Sequence, residues 1–220
     1  MAYHSQFGQD ALVREEFFPG RSDGVFVDVG AGDGVVDSNT LHFEEEGWSG
    51  LLVEADPATF ERLKAARRCP AENVACADHR GNLPFRVMPV QGWSGLSGFL
   101  RDLEAEELER LQESGEAYTI MVPCLPLQDL LDRHGLPEVD FLSLDVEGAE
   151  LSVLQSVDWS RTVIRVITVE SNRSDSALTR FLLGRGYCLW GLVGPDELYV
   201  LKGWWKEECA RPAAGKEAQG

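Results

Sequence analysis

A glycine-rich segment near the N-terminus has the composition of a ligand-binding loop. Asp28–Gly34 reads D-V-G-A-G-D-G, an acidic residue followed by glycines at alternate positions. Gly30 and Gly32 would let the backbone turn tightly and approach a ligand where a Cβ would clash. The N–H groups at the start of the following helix suit a carboxylate, and Asp28 can accept hydrogen bonds from an ammonium group. The segment therefore predicts a site for a zwitterion, such as the methionine part of S-adenosylmethionine (SAM).

A dinucleotide-binding loop is the main alternative for this segment. Such loops have the spacing G-x-G-x-x-G, whereas Gly34 comes one residue early here. Asp33 would also repel a pyrophosphate, but it would not repel a zwitterion that carries a sulfonium. The pattern therefore favours SAM over a dinucleotide.

Two acids after later strand-like segments extend the predicted cofactor site. Glu54 ends the run Leu51–Glu54, some two dozen residues after Gly30. Doubly wound folds place an acid there to bind both ribose hydroxyls. Asp78 follows a third strand-like run, Asn73–Ala77, and could accept the adenine amino group. The alternatives are a solvated loop acid for Glu54 and a turn or helix-cap residue for Asp78.

Acidic residues also follow the fourth and fifth predicted strands. Asp145 and Glu147 come after Phe141–Leu144, and Glu170 follows Val163–Val169. Ligands of open α/β sheets bind outside the carboxyl ends of the strands. We therefore expect these carboxylates to converge beside the methyl group that is transferred, as the catalytic residues.

These acids could act in different ways. One of them could be a general base that takes a hydroxyl proton. Alternatively, a divalent cation, Mg²⁺ or Mn²⁺, held by two of them could acidify the hydroxyl. The repulsion among uncompensated carboxylates favours the cation. A third possibility is that they cap the following helix, the role that we expect for Glu150 but not for Asp145 or Glu147.

The elements that would position these residues alternate between strand-like and helix-like runs, which indicates βαβ units around a mostly parallel sheet. The predicted helices include residues 37–46, 57–68, 102–114, 149–156 and 174–185. Tyr187–Val193 and Glu197–Leu201 face each other across Gly194–Asp196, which predicts a terminal antiparallel hairpin. A Rossmann-like α/β sheet of about seven strands with this hairpin is the class I methyltransferase fold. Residues 1–205 are expected to form one domain with residues 1–24 as an N-terminal lid, and residues 206–220 a flexible tail.

Composition limits the partners of the chain. Its 220 residues include 37 Asp and Glu against 20 Lys and Arg, a formal net charge of −17. Binding to a phosphate backbone needs clustered basic residues, so nucleic acid and anionic membranes are not expected partners. A neutral or cationic small molecule is easier to accommodate. A homo-oligomer is also possible on this sequence.

The sequence also predicts where the protein works. The N-terminus has no basic stretch followed by an apolar run, so a signal peptide is not expected. No segment reaches the roughly 20 apolar residues that cross a bilayer. The five cysteines have no zinc-binding spacing, which is typical of reduced thiols in a cytoplasmic protein.

With these pieces together, the chain resembles the FkbM-type SAM-dependent methyltransferases from Ser5 to about Lys202. The matching segments are Ser5–Asp10, Asp28–Gly34, Ser38–Thr40, Gly47–Gly50 with Glu54, Asp145–Glu150 and Glu170–Asn172. The resemblance implies a class I fold, SAM as cofactor and, most often, O-methylation of a hydroxyl on a sugar or natural product. By matching position, Gln6, Gln9 and Asp10 would form a lid over the cofactor, and Asn39 would line its pocket.

The resemblance leaves the acceptor and its activation open. Ser171 stands where many relatives have a His, so neither the base nor a metal carries over. Methylation of a small-molecule hydroxyl is the leading hypothesis. The alternatives are N-methylation of an amine or peptide, whose ammonium the acids would hold, and a non-catalytic module that binds SAM or a metal.

Overall fold

A seven-stranded, mostly parallel sheet forms the core of the fold in the computed structural model. The structure describes residues 2–87, 118–146, 148–170 and 176–205. The predicted helix 102–114, Glu147 and the predicted tail 206–220 lie outside these ranges.

The described elements alternate along the chain as the sequence predicts. The strands are β1 (Val25–Val29), β2 (Ser49–Val53), β3 (Ala71–Glu72), β4 (Ala75–Cys76), β5 (Gly81–Val87), β6 (Tyr118–Leu125), β7 (Glu138–Leu144), β8 (Val163–Glu170), β9 (Tyr187–Val193) and β10 (Asp196–Leu201). The helices are α1 (Gln9–Phe17), α2 (Leu41–Glu45), α3 (Pro57–Ala66), α4 (Leu127–His134), α5 (Glu150–Gln155) and α6 (Ser176–Leu183). None of these helices is long and apolar enough to cross a bilayer.

The strand order confirms the predicted fold class. The main sheet runs β3-β2-β1-β7-β8-β10-β9, and a second sheet runs β4-β6-β5. Neighbours from β3 to β8 in the main sheet are parallel, whereas β10 is antiparallel to both β8 and β9. This is the terminal hairpin, inserted so that the reversed strand lies between β8 and β9.

The third predicted strand is wrong in its bounds and in its sheet. Ala71–Glu72, not Asn73–Ala77, pairs with β2, and Ala75–Cys76 pairs with β6 in the second sheet. The Asn73 side chain donates to the carbonyl oxygens of Glu54 (2.8 Å) and Ala55 (3.2 Å). These side-chain hydrogen bonds lie where the pairing between β2 and β3 ends and the chain continues into the second sheet.

The helix predicted over residues 37–46 begins later, at Leu41. Asp37 has a left-handed φ of 56° and pairs with Ser5 in an isolated bridge. The Ser38 hydroxyl accepts from the N–H groups of Thr40 (3.3 Å) and Leu41 (3.1 Å). Short polar side chains that bond to nearby backbone compete with helix formation in this way.

Helices cover both faces of the main sheet, and the alternation of strand residues divides the core between them. On one face, α1, α2 and α3 bury Val13, Phe17, Phe43 and Leu63 against Phe26, Phe141 and Val166. On the other face, α4, α5 and α6 bury Leu127, Leu131, Val153 and Leu182 against Val27, Leu142 and Ile167. This two-sided burial leaves the carboxyl ends of the parallel strands as the edge at which a ligand can bind.

The expectation of reduced thiols holds for part of the chain. Cys69, Cys76 and Cys124 are free. Cys188 is disulfide-bonded, so the expectation is wrong for that residue.

Candidate active site

The first glycine of the loop is required by close packing against the end of β7. The N–H groups of Gly30 and Ala31 both donate to the carbonyl oxygen of Val53, at 2.9 and 3.0 Å. A Cβ on Gly30 would lie 1.7 Å from the Asp145 carbonyl oxygen. Any side chain at Gly30 would therefore push Asp145 away from the loop.

The second glycine of the loop faces open space instead. Gly32 has a φ of +57°, and a Cβ built there would meet nothing within 4 Å. Its N–H donates to Glu54 Oε2 at 2.9 Å. The space beside Gly32 is therefore where a ligand could approach the backbone, and this fits the cofactor that the loop predicts.

Glu54 is held as a buried carboxylate directly under the loop. Glu54 is 7% exposed, and its Oε1 accepts from the Asp56 N–H at 2.7 Å. Burial raises the pKa of Glu54 to about 7, although the N–H groups of Asp56 and Gly32 act against that rise. Each carboxylate oxygen has lone pairs beyond these bonds, so the group fits two ribose hydroxyls.

The structure places Asp28 within β1, 3% exposed. Its Oδ2 accepts from the Thr40 hydroxyl at 2.6 Å. Burial raises its pKa, and hydrogen bonds from Thr40 and Ser143 together with the charge of Arg67 act against that rise. These contacts support the loop from below, while direct contact between Asp28 and the ligand stays a prediction.

Arg67 holds the cofactor loop in a way that sequence reasoning missed. The residue is 5% exposed, and its Nη1 donates to the carbonyl oxygen of Gly34 at 3.0 Å. Its Nη2 donates to Thr40 Oγ1 at 3.1 Å, and its Nε donates to Glu44 at 2.8 Å. An Arg at the end of an amphipathic helix gives no local signal of this role, because its partners come from the loop and from α2.

Asn39 reaches the carboxyl edge of the sheet from the other side of the loop. Its Nδ2 donates to Ser143 Oγ at 3.1 Å. Its Oδ1 is buried and accepts no hydrogen bond within the described part of the chain. An acceptor in this position fits an ammonium or hydroxyl donor of a ligand, in line with the predicted pocket role.

Asp78 lies in a turn after β4, next to the second sheet. Its side chain is 63% exposed, and one carboxylate oxygen is 2.7 Å from His79 Nδ1. Because its strand does not belong to the main sheet, the argument from the end of a third strand does not hold. Contact between Asp78 and adenine stays a prediction.

Asp10 organises the segment before α1. It is fully buried, its Oδ1 accepts from the Ser5 hydroxyl at 2.5 Å, and its Oδ2 accepts from the His4 N–H at 2.6 Å. Ser5 is in turn bridged to Asp37, beyond the glycine loop. This end of the predicted lid is therefore tied to the cofactor loop.

The other end of the segment is tied to the turn between β9 and β10. Gln9 Nε2 donates to Asp196 Oδ2 at 2.9 Å, and its Oε1 accepts from the Phe7 N–H at 3.0 Å. A Cβ on Gly194 would lie 2.4 Å from the Phe7 ring, so the two are in close contact. Gln6 is exposed. The segment from Ser5 to Gln9 therefore links the glycine loop to the terminal hairpin, which is compatible with a lid.

Asp145 and Glu170 leave the sheet side by side. Leu144 is the register partner of Val169, and Asp145 and Glu170 are the next residues of the two strands. Asp145 is exposed, and its N–H donates to the Val29 carbonyl oxygen at 3.0 Å. Glu170 is half-buried, and its Oε2 is buried with no hydrogen-bond partner among the described residues.

The predicted catalytic acids are only partly described. Glu147 lies outside the described residues. Within the described ranges, no group of three or more His, Cys, Asp or Glu is arranged to hold a metal. A cation held by Asp145 and Glu147 stays a prediction.

We expected Glu150 to cap the following helix, but its carboxylate binds the loop before that helix instead. Its Oε1 accepts from the N–H groups of Gly148 (2.9 Å) and Val146 (3.3 Å) in the loop before α5. Glu150 is 8% exposed. Burial raises its pKa, and the charge of Glu170 adds to that rise.

Asp196 is a further acid of the site that the sequence did not reveal. It is 6% exposed and is the register partner of Glu170 across β8 and β10. Burial first, and then the charge of Glu170, raise its pKa to about 6. The motif Gly194–Asp196 was interpreted only as a turn, because the approach of Asp196 to Glu170 follows from the strand order.

The strand order, the glycine loop and the buried acid below it define a class I, Rossmann-like methyltransferase fold. The model of the methyltransferase FkbM domain matches residues 28–189. The chain belongs to this family, and its fold is that of SAM-dependent methyltransferases.

A solved structure supports the fold. A crystal structure of methyltransferase FkbM from Methylobacillus flagellatus KT matches with a TM-score of 0.53 and 14% identity, over 90% of this chain and 48% of that chain. The chain thus spans about half the length of that protein. Precorrin-6y C5,15-methyltransferase from Geobacter metallireducens GS-15 matches with a TM-score of 0.39 and 12% identity, over 82% of this chain and 70% of that one. A comparison with curated proteins gives no significant match.

Proposed function

We propose that the protein methylates a hydroxyl group of a small molecule, a sugar or a natural product. The observation that carries the proposal is the position of Asp145. Its backbone is packed against Gly30 and bonded to Val29, while the residue itself is exposed. An acidic residue that is exposed and whose backbone is fixed beside the cofactor loop is suited to act on an acceptor beside the cofactor.

The cofactor is assigned to the residues that fit its groups. Glu54 would accept the ribose hydroxyls, the backbone at Gly32 would border the ligand, and Asn39 Oδ1 would accept a donor of the methionine part. When bound, SAM supplies an electrophilic methyl group. The rigid contacts of the loop then serve to hold the acceptor and donor in a reactive orientation.

Asp145 would accept the proton that the acceptor hydroxyl loses as its oxygen bonds to the methyl carbon. The alternative is that Asp145 and Glu147 hold Mg²⁺ or Mn²⁺, which would acidify the hydroxyl. A small-molecule acceptor, rather than nucleic acid or membrane, is supported by the net charge of −17. The free thiols of Cys69, Cys76 and Cys124 support action in the cytoplasm, whereas the disulfide-bonded Cys188 does not.

The test is methyl transfer from isotope-labelled SAM to a panel of sugars and hydroxylated natural products, with Asp145→Asn and Asp23→Asn compared. Asp23 is the matched control because its side chain is 86% exposed. Its ion-pair partner Arg21 bonds to Asp140 near the start of β7, at the opposite end of that strand from Asp145. We expect Asp145→Asn to lower turnover by roughly 10²–10⁴-fold, the usual effect of a positioned base, with SAM affinity nearly unchanged. Exhaustive chelation separates the two mechanisms: loss of activity that Mg²⁺ or Mn²⁺ restores supports the cation, and full activity excludes it.

N-methylation is the second candidate: an acceptor amine placed beside Asp145, rather than held among the buried acids near β8, could lose its proton to Asp145 and then attack the methyl group. Analysis of the methylated atom in the product separates it from O-methylation. A non-catalytic module would bind SAM and transfer no methyl group. Full turnover of Asp145→Asn would contradict the proposed role of this residue.

A further inference from the structure

We infer that the acceptor carries a protonated amine besides the hydroxyl, and that this ammonium group binds at Glu170, Asp196 and Thr168. The inference rests on the proposed function and names its substrate class: an amino sugar or another amino alcohol. It is carried by two polar atoms, Thr168 Oγ1 and Glu170 Oε2, that have no partner among the described residues, and by the buried carboxylate of Asp196 beside them. These three residues form one corner of the sheet.

The three residues lie on one face at neighbouring positions. Thr168 and Glu170 are two residues apart on β8, so their side chains point to the same face. Glu170 is paired in register with Asp196, and Thr168 is paired with Leu198. Leu198 packs in the core with α1, and Gln9 at the start of α1 bonds to Asp196. The side chains therefore lie between the sheet and the segment that precedes α1.

The polar atoms at this corner require hydrogen-bond donors. Thr168 is 1% exposed, and neither its Oγ1 nor Glu170 Oε2 has a partner among the described residues. Gln9 donates to one oxygen of Asp196, Oδ2. Buried polar atoms are normally paired with protein, water or ligand. These are chiefly acceptors, and an ammonium group presents three donors at once.

The charge at this corner favours an ammonium over a neutral hydroxyl. In the described part of the chain, no ion pair involves Glu150, Glu170 or Asp196. The charge of Glu170 contributes to the raised pKa values of both Glu150 and Asp196, so the three acids are within electrostatic reach of one another. A cation among them would relieve this repulsion, whereas a neutral polyol would leave it in place.

The position of the corner also explains why the amine would not be the methylated atom. Asp145 ends β7 and Glu170 ends the next strand, β8, and neighbouring strands are about 5 Å apart. An amine bound to carboxylates stays protonated and has no lone pair to attack a methyl group. A hydroxyl about one strand spacing away, near 5 Å, would lie beside Asp145. An amine and a hydroxyl on one six-membered ring meet this separation.

The experiment measures binding of amines to the full chain saturated with S-adenosylhomocysteine (SAH), by isothermal titration. The probes are glucosamine, galactosamine and trans-4-aminocyclohexanol, each compared with its N-acetyl form. At least one amine should bind about tenfold or more tightly than its N-acetyl form, the usual range for charge-assisted hydrogen bonds. Asp196→Asn and Glu170→Gln should each remove most of this preference and leave SAH affinity within about twofold. Asp23→Asn should retain it.

Failure of the inference differs from failure of the proposed function. No SAH binding by the folded wild-type protein would contradict the methyltransferase site itself. SAH binding with no amine preferred over its N-acetyl form would overturn the inference, and so would a preference that survives both substitutions. A bound amine that is methylated on nitrogen, shown by mass spectrometry of the product, would also overturn it. The comparison within the wild-type protein decides the matter even if a variant fails to fold.

Discussion

Replacing Asp196 by Asn should stabilise the protein at neutral pH and leave its stability near pH 4 almost unchanged. Asp196 is buried beside Glu170, and its pKa rises from 3.8 to about 6. The folded protein therefore binds this proton more tightly than the unfolded chain does. The cost to stability is absent below pH 4, grows as pH rises through the window from about 4 to about 6, and is complete above it.

The size of the effect follows from the pKa. A rise of about two units corresponds to about 3 kcal/mol at 1.36 kcal/mol per unit, and this is an upper bound because solvent and side-chain relaxation screen part of it. Asn at this position does not ionise. Its oxygen can still accept from Gln9 Nε2, and its amide can donate to Glu170 Oε2. We therefore expect a gain of about 1–3 kcal/mol at pH 7.5, or a Tm higher by roughly 2–12 °C for a domain of this size.

The assay is thermal unfolding of wild type, Asp196→Asn and Asp23→Asn between pH 4 and pH 8. The exposed control, Asp23→Asn, should show no comparable pH-dependent gain. A difference between Asp196→Asn and wild type that is constant across this range would refute the reasoning, and so would destabilisation at pH 7.5. A variant that is more stable and binds amines less well would show that Asp196 is retained for binding at a cost to stability.

The remaining predictions concern the cofactor loop. Gly30→Ala should lower the free energy of unfolding by more than about 2 kcal/mol, measured by denaturation, because it displaces Asp145. Gly32→Ala should lower it by about 1 kcal/mol, and its main effect should be weaker SAM binding, measured by titration. Glu54→Ala should weaken SAM binding by roughly 1.5–3 kcal/mol. The affinity of the wild-type protein for SAM should rise as pH increases through about 7, the pKa of Glu54. The reason is that the ionised carboxylate is the stronger hydrogen-bond acceptor. An affinity that does not change with pH would place the ribose elsewhere. Arg67→Lys keeps the charge but loses the planar set of donors, so we expect SAM affinity to fall about tenfold. The affinity and the Tm of this variant are measured together.

Local pattern was sufficient for the alternation of strands and helices and for the position of the glycine loop. A buried parallel strand is a short apolar run, and a glycine at a tight turn is required by the backbone itself. The predicted strand Val163–Val169 therefore matches β8 to within one residue, and Tyr187–Val193 has the predicted bounds. Glu54 could be singled out because its place at the end of the second strand depends only on spacing from Gly30.

Local pattern failed where a competing contact came from elsewhere. Asn73–Ala77 is apolar enough for a strand, but the pairing with β2 ends where Asn73 bonds to Glu54 and Ala55, and Ala75–Cys76 pairs in another sheet. The helix predicted from Asp37 begins at Leu41, because the Ser38 hydroxyl accepts from the N–H groups of Thr40 and Leu41 and because Asp37 pairs with Ser5. Neither partner choice can be inferred from periodicity.

The sequence by itself determined the class of the protein, because the glycine loop, the strand-end acids and the strand–helix alternation are each encoded within a few neighbouring residues. Only the tertiary structure decided which acids meet. Asp196 lies beside Glu170 because β10 inserts antiparallel next to β8, and it bonds to Gln9, 187 residues away along the chain. Arg67 reaches Gly34 and Thr40 because α3 packs under the loop. Burial and charge repulsion depend on distance in space, so the pKa values and unpaired atoms at this edge exist only once the strands are ordered.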